Sequence, residues 1–123
     1  MIKRISFHAA KNRCAKLLKT RGYEPVQPVT DSFLSHYIPL HLIGIKGDYE
    51  ALCVKLQIAQ GSVSETYVES HCQYDICQFR SLLSKSPGNM FLRCEEWVVS
   101  PNNSIHCYDV LANTIQEVAA YVE

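Results

Sequence analysis

Residues 39–59 read PLHLIGIKGDYEALCVKLQIA, and this stretch decides the fold. Its first part, Leu40 to Ile45, is a mainly apolar run that stops at Gly47 and Asp48. A short apolar run bounded by turn residues reads as a buried strand. Its second part, Ala51 to Ala59, sets Leu52, Val54, Leu56 and Ile58 against Cys53, Lys55 and Gln57. Successive strand side chains point to opposite faces, so this strand has one apolar and one partly polar side. The two parts make a hairpin whose turn fixes which side chains meet. Centring it on Gly47 or on Asp48 places His41 opposite Cys53 or Lys55. A two-residue Gly47–Asp48 loop pairs His41 with Val54 instead and sends Lys55 to the other face.

Working outward, Phe7, Ala10, Cys14, Leu17 and Leu18 recur at helical spacing between Ser6 and Arg21, and Gly22 follows as a C-terminal cap. Lys11, Arg13, Lys16 and Lys19 spread over the opposite face of that helix. A short edge strand is expected around Val26–Val29, between Pro25 and Pro28, and a loop from Thr30 to Tyr37. Beyond Gly61, the Ser62/Glu65 spacing predicts a helix start, and Val63, Tyr67, Ile76, Phe79, Leu82 and Leu83 predict one long helix stopped by Ser86, Pro87 and Gly88. Met90–Ser100 and Ile105–Leu111 read as a hairpin turned by Pro101, Asn102 and Asn103, and Thr114–Tyr121 reads as a closing helix. Helix, three strands, helix, two strands, helix predicts an α/β fold, a central mixed β-sheet flanked by helices, as one domain over residues 1–123.

The chain has 123 residues and zero formal net charge, which excludes a uniformly basic nucleic-acid coat. The charges are nevertheless segregated: Lys3, Arg4, Lys11, Arg13, Lys16, Lys19 and Arg21 all precede the first acidic residue, Glu24. The amino-terminal helix is thus a positive pole on an otherwise acidic chain. The apolar runs are far shorter than the roughly 20 residues of a membrane helix, and the start lacks the continuous apolar stretch of a secretory signal. A cytoplasmic location with no membrane partner is expected. Six cysteines without a C-x-x-C pair, several within apolar runs, read as buried free thiols.

The helix ending in Gly22-Tyr23, the edge strand and the Pro39-x-His41 and Cys53-x-Lys55 hairpin together resemble the PD-(D/E)XK nuclease superfamily, especially its small Holliday-junction-resolvase-like members. The resemblance implies a restriction-endonuclease-like αβββαβ core. In that family the first hairpin strand carries an Asp soon after a Pro, and the second carries Glu-x-Lys. The carboxylates hold a divalent metal, and the lysine helps position the attacking water. Here His41 stands at the Asp position and Cys53 at the Glu position, and Lys55 alone is kept. A His/Cys pair is a poor substitute for the oxygen ligands that Mg²⁺ demands.

Three functions follow as expectations. The first is a catalytically degenerate nuclease-fold protein, no longer an enzyme, that binds DNA or RNA through Lys11, Arg13, Lys16 and Lys19 and needs no cofactor. The second is a structural or regulatory homodimer, with Phe91 and Trp97 supplying apolar contact area. The third is a nuclease dependent on Mg²⁺ or Mn²⁺ whose carboxylate has migrated to Glu69, completing a site with His41, Cys53 and Lys55. Each has a plainer counterpart: His41 as a hydrogen-bonded strand histidine, Lys55 in a salt bridge to Glu69 or Asp75, and a merely solvated basic helix. His71, Cys72, Cys77, His106 and Cys107 lack structural-zinc spacing, and no phosphate-binding glycine loop, serine elbow or dinucleotide fingerprint is present.

Overall fold

The computed structural model describes residues 5–26, 40–47, 50–85 and 91–121. Along the chain lie α1 (Phe7–Thr20), β1 (Glu24–Val26), β2 (Leu42–Lys46), β3 (Glu50–Ile58), α2 (Glu65–His71), α3 (Gln73–Lys85), β4 (Phe91–Val99), β5 (Ile105–Val110) and β6 (Ile115–Tyr121). The strands form one mixed sheet in the order β1-β2-β3-β4-β5-β6. Every neighbouring pair is antiparallel except β3 and β4, which run parallel across the helical crossover of α2 and α3. The expected α/β sandwich of a mixed sheet between helices is present.

Each helix layer is seated by the periodicity of its own sequence. Ala10, Cys14, Leu17 and Leu18 of α1 pack with Leu42, Leu52, Val54, Leu56, Trp97 and Cys107 on one face of the sheet. On the other face Val68, Ile76, Phe79 and Leu82 of α2 and α3 meet Ile43, Cys53, Cys94, Val98 and Tyr108. Each fully buried leucine here contributes about 2 kcal/mol by leaving water. Gly44 permits the close approach of α1: a Cβ there would lie 2.8 Å from both Leu18 Cδ2 and Tyr23 Cβ. Helix α1 starts on Ser6, whose hydroxyl accepts the Ala9 amide, and it closes through Gly22 at φ +92°, a left-handed turn that suits glycine.

The hairpin register is Lys46↔Glu50 through Leu42↔Val54, centred on Asp48, so continuing it places His41 opposite Lys55. Two expectations need correction. Thr114–Tyr121 is not a helix but β6, paired with β5 from Val110↔Ile115 to Ile105↔Tyr121. Ile115, Val118 and Ala119 have helical spacing, but pairing along β5 outweighs that local pattern. The long helix is two: α2 is capped by Ser64 rather than Ser62 and ends at Cys72, whose non-helical backbone restarts the chain as α3. The edge strand spans Glu24–Val26; its expected continuation to Val29, the Thr30–Tyr37 loop and the Pro87–Gly88 stop lie outside the described residues.

Candidate functional site

Lys55 sits near the middle of β3 and faces α3, only 3% exposed. A lysine so deeply buried requires a counter-charge. Its Nζ donates to Asp75 Oδ1 at 3.1 Å and to Gln78 Oε1, and lies 5.8 Å from the centre of the Tyr74 ring. Gln57, two residues along the same strand face, donates to Asp75 Oδ2 at 3.3 Å. Asp75 lies in the first turn of α3, and Gln78 follows about one turn later on the same side, so one helix face supplies both partners.

Glu96 is the cross-strand neighbour of Lys55 on β4 and is fully buried. Neither of its oxygens meets a nitrogen or hydroxyl donor; the groups against it are the Asp75 carboxyl and the Cys72 thiol. Two carboxyls in contact make a hydrogen bond only when one carries the proton. Burial first, then Asp75, push Glu96 well above the usual carboxylate range, so it is the protonated member. Burial alone would raise Asp75 as well, but hydrogen bonds from Glu96, Lys55 and Gln57 outweigh it and hold Asp75 below its ordinary value. The result is a closed arrangement of one ammonium, one carboxylate and one neutral acid.

His41 stands at the bend where the chain enters β2. Its backbone N–H donates to Val54 O at 3.1 Å, and its Nδ1 accepts the Leu56 N–H at 2.7 Å. Leu56 lies beyond the end of β2, so the imidazole caps an amide that the ladder leaves unpaired. Burial, together with the Lys55 and Lys11 charges, lowers the His41 pKa despite the opposing pull of Asp75. The Phe7 ring meets the imidazole edge-on at 5.0 Å. Cys53 is buried on the Lys55 face and aligned with Cys94 across the parallel pair, as one of the core side chains. Glu69 is exposed and lines a cleft of about 230 Å³ with Gln73, Cys77 and Arg80; no ion pair or hydrogen bond joins it to Lys55. His41 and Lys55 are thus brought together, Cys53 lies beneath them, and Asp75 and Glu96 occupy the place foreseen for Glu69.

The divalent metal implied by the resemblance does not fit these donors. The Lys55 ammonium already sits against Asp75 and occupies the place of a cation between the two carboxyls, and Cys53 and His41 are not the hard oxygen donors that Mg²⁺ prefers. Among the described residues no group of three or more His, Cys, Asp or Glu side chains is arranged to hold an ion.

Across the sheet, Glu95 is fully buried beneath α1. Arg21 grips it with two bonds of 2.6 and 3.0 Å, Trp97 Nε1 donates at 2.9 Å, and Arg93 approaches to 3.2 Å. This fork pins the end of α1 to the central strand. Trp97 is itself wholly buried and offers no outward apolar area, whereas Phe91 is 59% exposed. Arg13 donates to Asn103 O at 2.9 Å, while Lys16 and Lys19 are exposed and Lys11 half-buried. No carboxylate among the described residues pairs with Lys11, Lys16 or Lys19.

Five of the six cysteines are buried thiols, Cys77 is exposed, and none is in a disulfide. No helix among the described residues is long and apolar enough to cross a membrane. No protein-family model, curated protein or solved structure matches the chain.

Proposed function

We propose that this chain is a non-catalytic nucleic-acid-binding module, built on a restriction-endonuclease-like core whose catalytic position has been closed. The order of elements supports the core: a helix, an antiparallel three-strand meander, a helical crossover and a strand parallel to the third are the αβββαβ layout. The chemistry of the Lys55 position supports the loss of hydrolysis. Its ammonium is committed to Asp75 and Gln78, and the neighbouring Glu96 is sealed from solvent, so the lysine is engaged by internal partners rather than presented to an attacking water.

One observation carries the binding role. Among the described residues, cations elsewhere are engaged: Arg21, Lys55 and Arg93 in ion pairs, Arg80 on backbone carbonyls and Lys46 over the Tyr23 ring. Lys11, Lys16 and Lys19, on one helix, have no carboxylate partner among the described residues. Ammonium groups spread over the outer face of one helix suit a phosphate backbone, and such contacts are insensitive to base sequence. The test is fluorescence anisotropy of labelled DNA and RNA across a salt series. Three phosphate contacts predict a slope of log K against log[salt] of about −2 to −3. Replacing the three lysines with Glu should abolish binding. Affinity that survives the charge reversal would refute the assignment.

A further inference from the structure

We propose that the cationic face continues into an aromatic platform that stacks unpaired bases, so that the preferred ligand is a single-stranded nucleic acid rather than a duplex. This rests on the nucleic-acid reading above and names its ligand. The two candidate rings, Phe7 on α1 and Tyr74 on α3, lie on either side of the His41–Lys55 end of the hairpin. Phe7 is 43% exposed and touches the His41 ring. His41 falls opposite Lys55 when the hairpin register is continued, and Lys55 lies beneath the Tyr74 ring. Tyr74 is 74% exposed although it is a large aromatic side chain, and its hydroxyl is tethered by Gln78 Nε2 at 3.2 Å.

The arrangement combines the two things a single strand requires. Lys11 stands one helical turn beyond Phe7 on the same side of α1, so a phosphate there lies beside a ring able to receive the adjoining base. Phe7 and Tyr74 are also held rather than loose, Phe7 against an imidazole anchored to the Leu56 amide and Tyr74 by Gln78 and Lys55. A pre-positioned ring loses little freedom when a base stacks on it. In a duplex the bases already stack on one another, so two such rings gain nothing from it. Exposed aromatic side chains also suit a protein partner, but rings next to Lys11, on a helix whose lysines have no carboxylate partner among the described residues, favour an anionic one.

The experiment compares three labelled probes at low salt: an oligothymidylate strand, an abasic strand of equal length, and a duplex. The expected result is that the base-bearing strand binds at least tenfold more tightly than the abasic strand. Phe7→Leu and Tyr74→Ala should each cost about 5- to 150-fold on the base-bearing strand, bringing it toward the abasic level. Both positions are exposed, and circular dichroism of each variant checks that it folds. Equal affinity for base-bearing and abasic strands, or ring variants that bind as well as the native chain, would overturn the platform while leaving the lysine helix standing. Absence of binding to all three probes would overturn the platform and the nucleic-acid reading together.

Discussion

Glu95 and Glu96 are neighbours in β4, yet the same substitution should have opposite effects at the two positions. Glu95→Gln places an amide where a carboxylate receives both Arg21 nitrogens, the Trp97 N–H and Arg93. The amide NH₂ would confront donors, and two guanidinium groups would lose their counter-charge. Breaking a buried pair costs about 3–5 kcal/mol. Arg21 and Arg93 retain side-chain exposures of 14% and 29%, so water recovers part of this. The lower end, about 3 kcal/mol, is expected, a fall in Tm of about 10 °C for a domain of this size. Glu96→Gln replaces an acid that is already neutral with an amide that can still donate to Asp75. Because the Glu96 pKa is raised in the folded chain, its protonated form is fully accommodated below the unfolded value of about 4.3. Native stability then falls by about 1.4 kcal/mol per pH unit above that point until the folded pKa is reached. The Gln variant escapes this loss. It should match the native chain near pH 4 and exceed it at pH 7. Urea denaturation followed by circular dichroism at several pH values measures both variants. A Glu96→Gln protein destabilised at pH 7 as much as Glu95→Gln would refute the assignment of the proton.

Asp75→Asn should cost about 3 kcal/mol or more, because the Lys55 ammonium stays buried without its counter-ion, and adding Lys55→Met should restore much of the loss in a double-mutant cycle. Asp75 has a depressed folded pKa, so its contribution is present above about pH 3.9 and is lost as the pH falls further; the Asn variant should lack that acid limb in its pH–stability curve. His41→Leu removes the acceptor of the Leu56 amide at a cost of about 1–3 kcal/mol, with faster hydrogen exchange at that one amide as the specific readout. With its folded pKa lowered, native His41 favours folding above about pH 6.5 and loses that advantage on acidification, a limb that the Leu variant should also lack. Gly44→Ala drives a methyl group against Leu18 and Tyr23 and should destabilise by about 1–3 kcal/mol, measured as a lower urea midpoint.

Much of this architecture is legible because local and global preferences agree. Ala10, Cys14, Leu17 and Leu18 can bury only as a helix, and the apolar alternation of β3 can bury only as a strand. The odd-numbered turn that brings His41 to Lys55 was one of the registers open to the sequence, and the pairing selects it. The carboxyl pair was harder to see. Two adjacent acidic residues in a mainly apolar strand point to opposite faces, and when both faces are covered each meets a partner in a different layer, Arg21 in one and Asp75 in the other. Those partners lie far away in sequence, so no spacing rule announces them. β6 escaped for a similar reason, since its strand conformation is imposed by pairing with β5 rather than by its own periodicity.

The parallel seam between β3 and β4 has a kinetic consequence. β1–β2–β3 and β4–β5–β6 are each meanders whose strands pair with near neighbours in sequence, but every residue pair of the seam closes a loop of about forty residues. Local hairpins form early and cheaply, whereas loop closure across the crossover must precede the contacts that reward it. Neither meander seals its inner strand until that seam zips. The barrier to folding should therefore lie at the seam, and weakening it should slow folding more than it speeds unfolding.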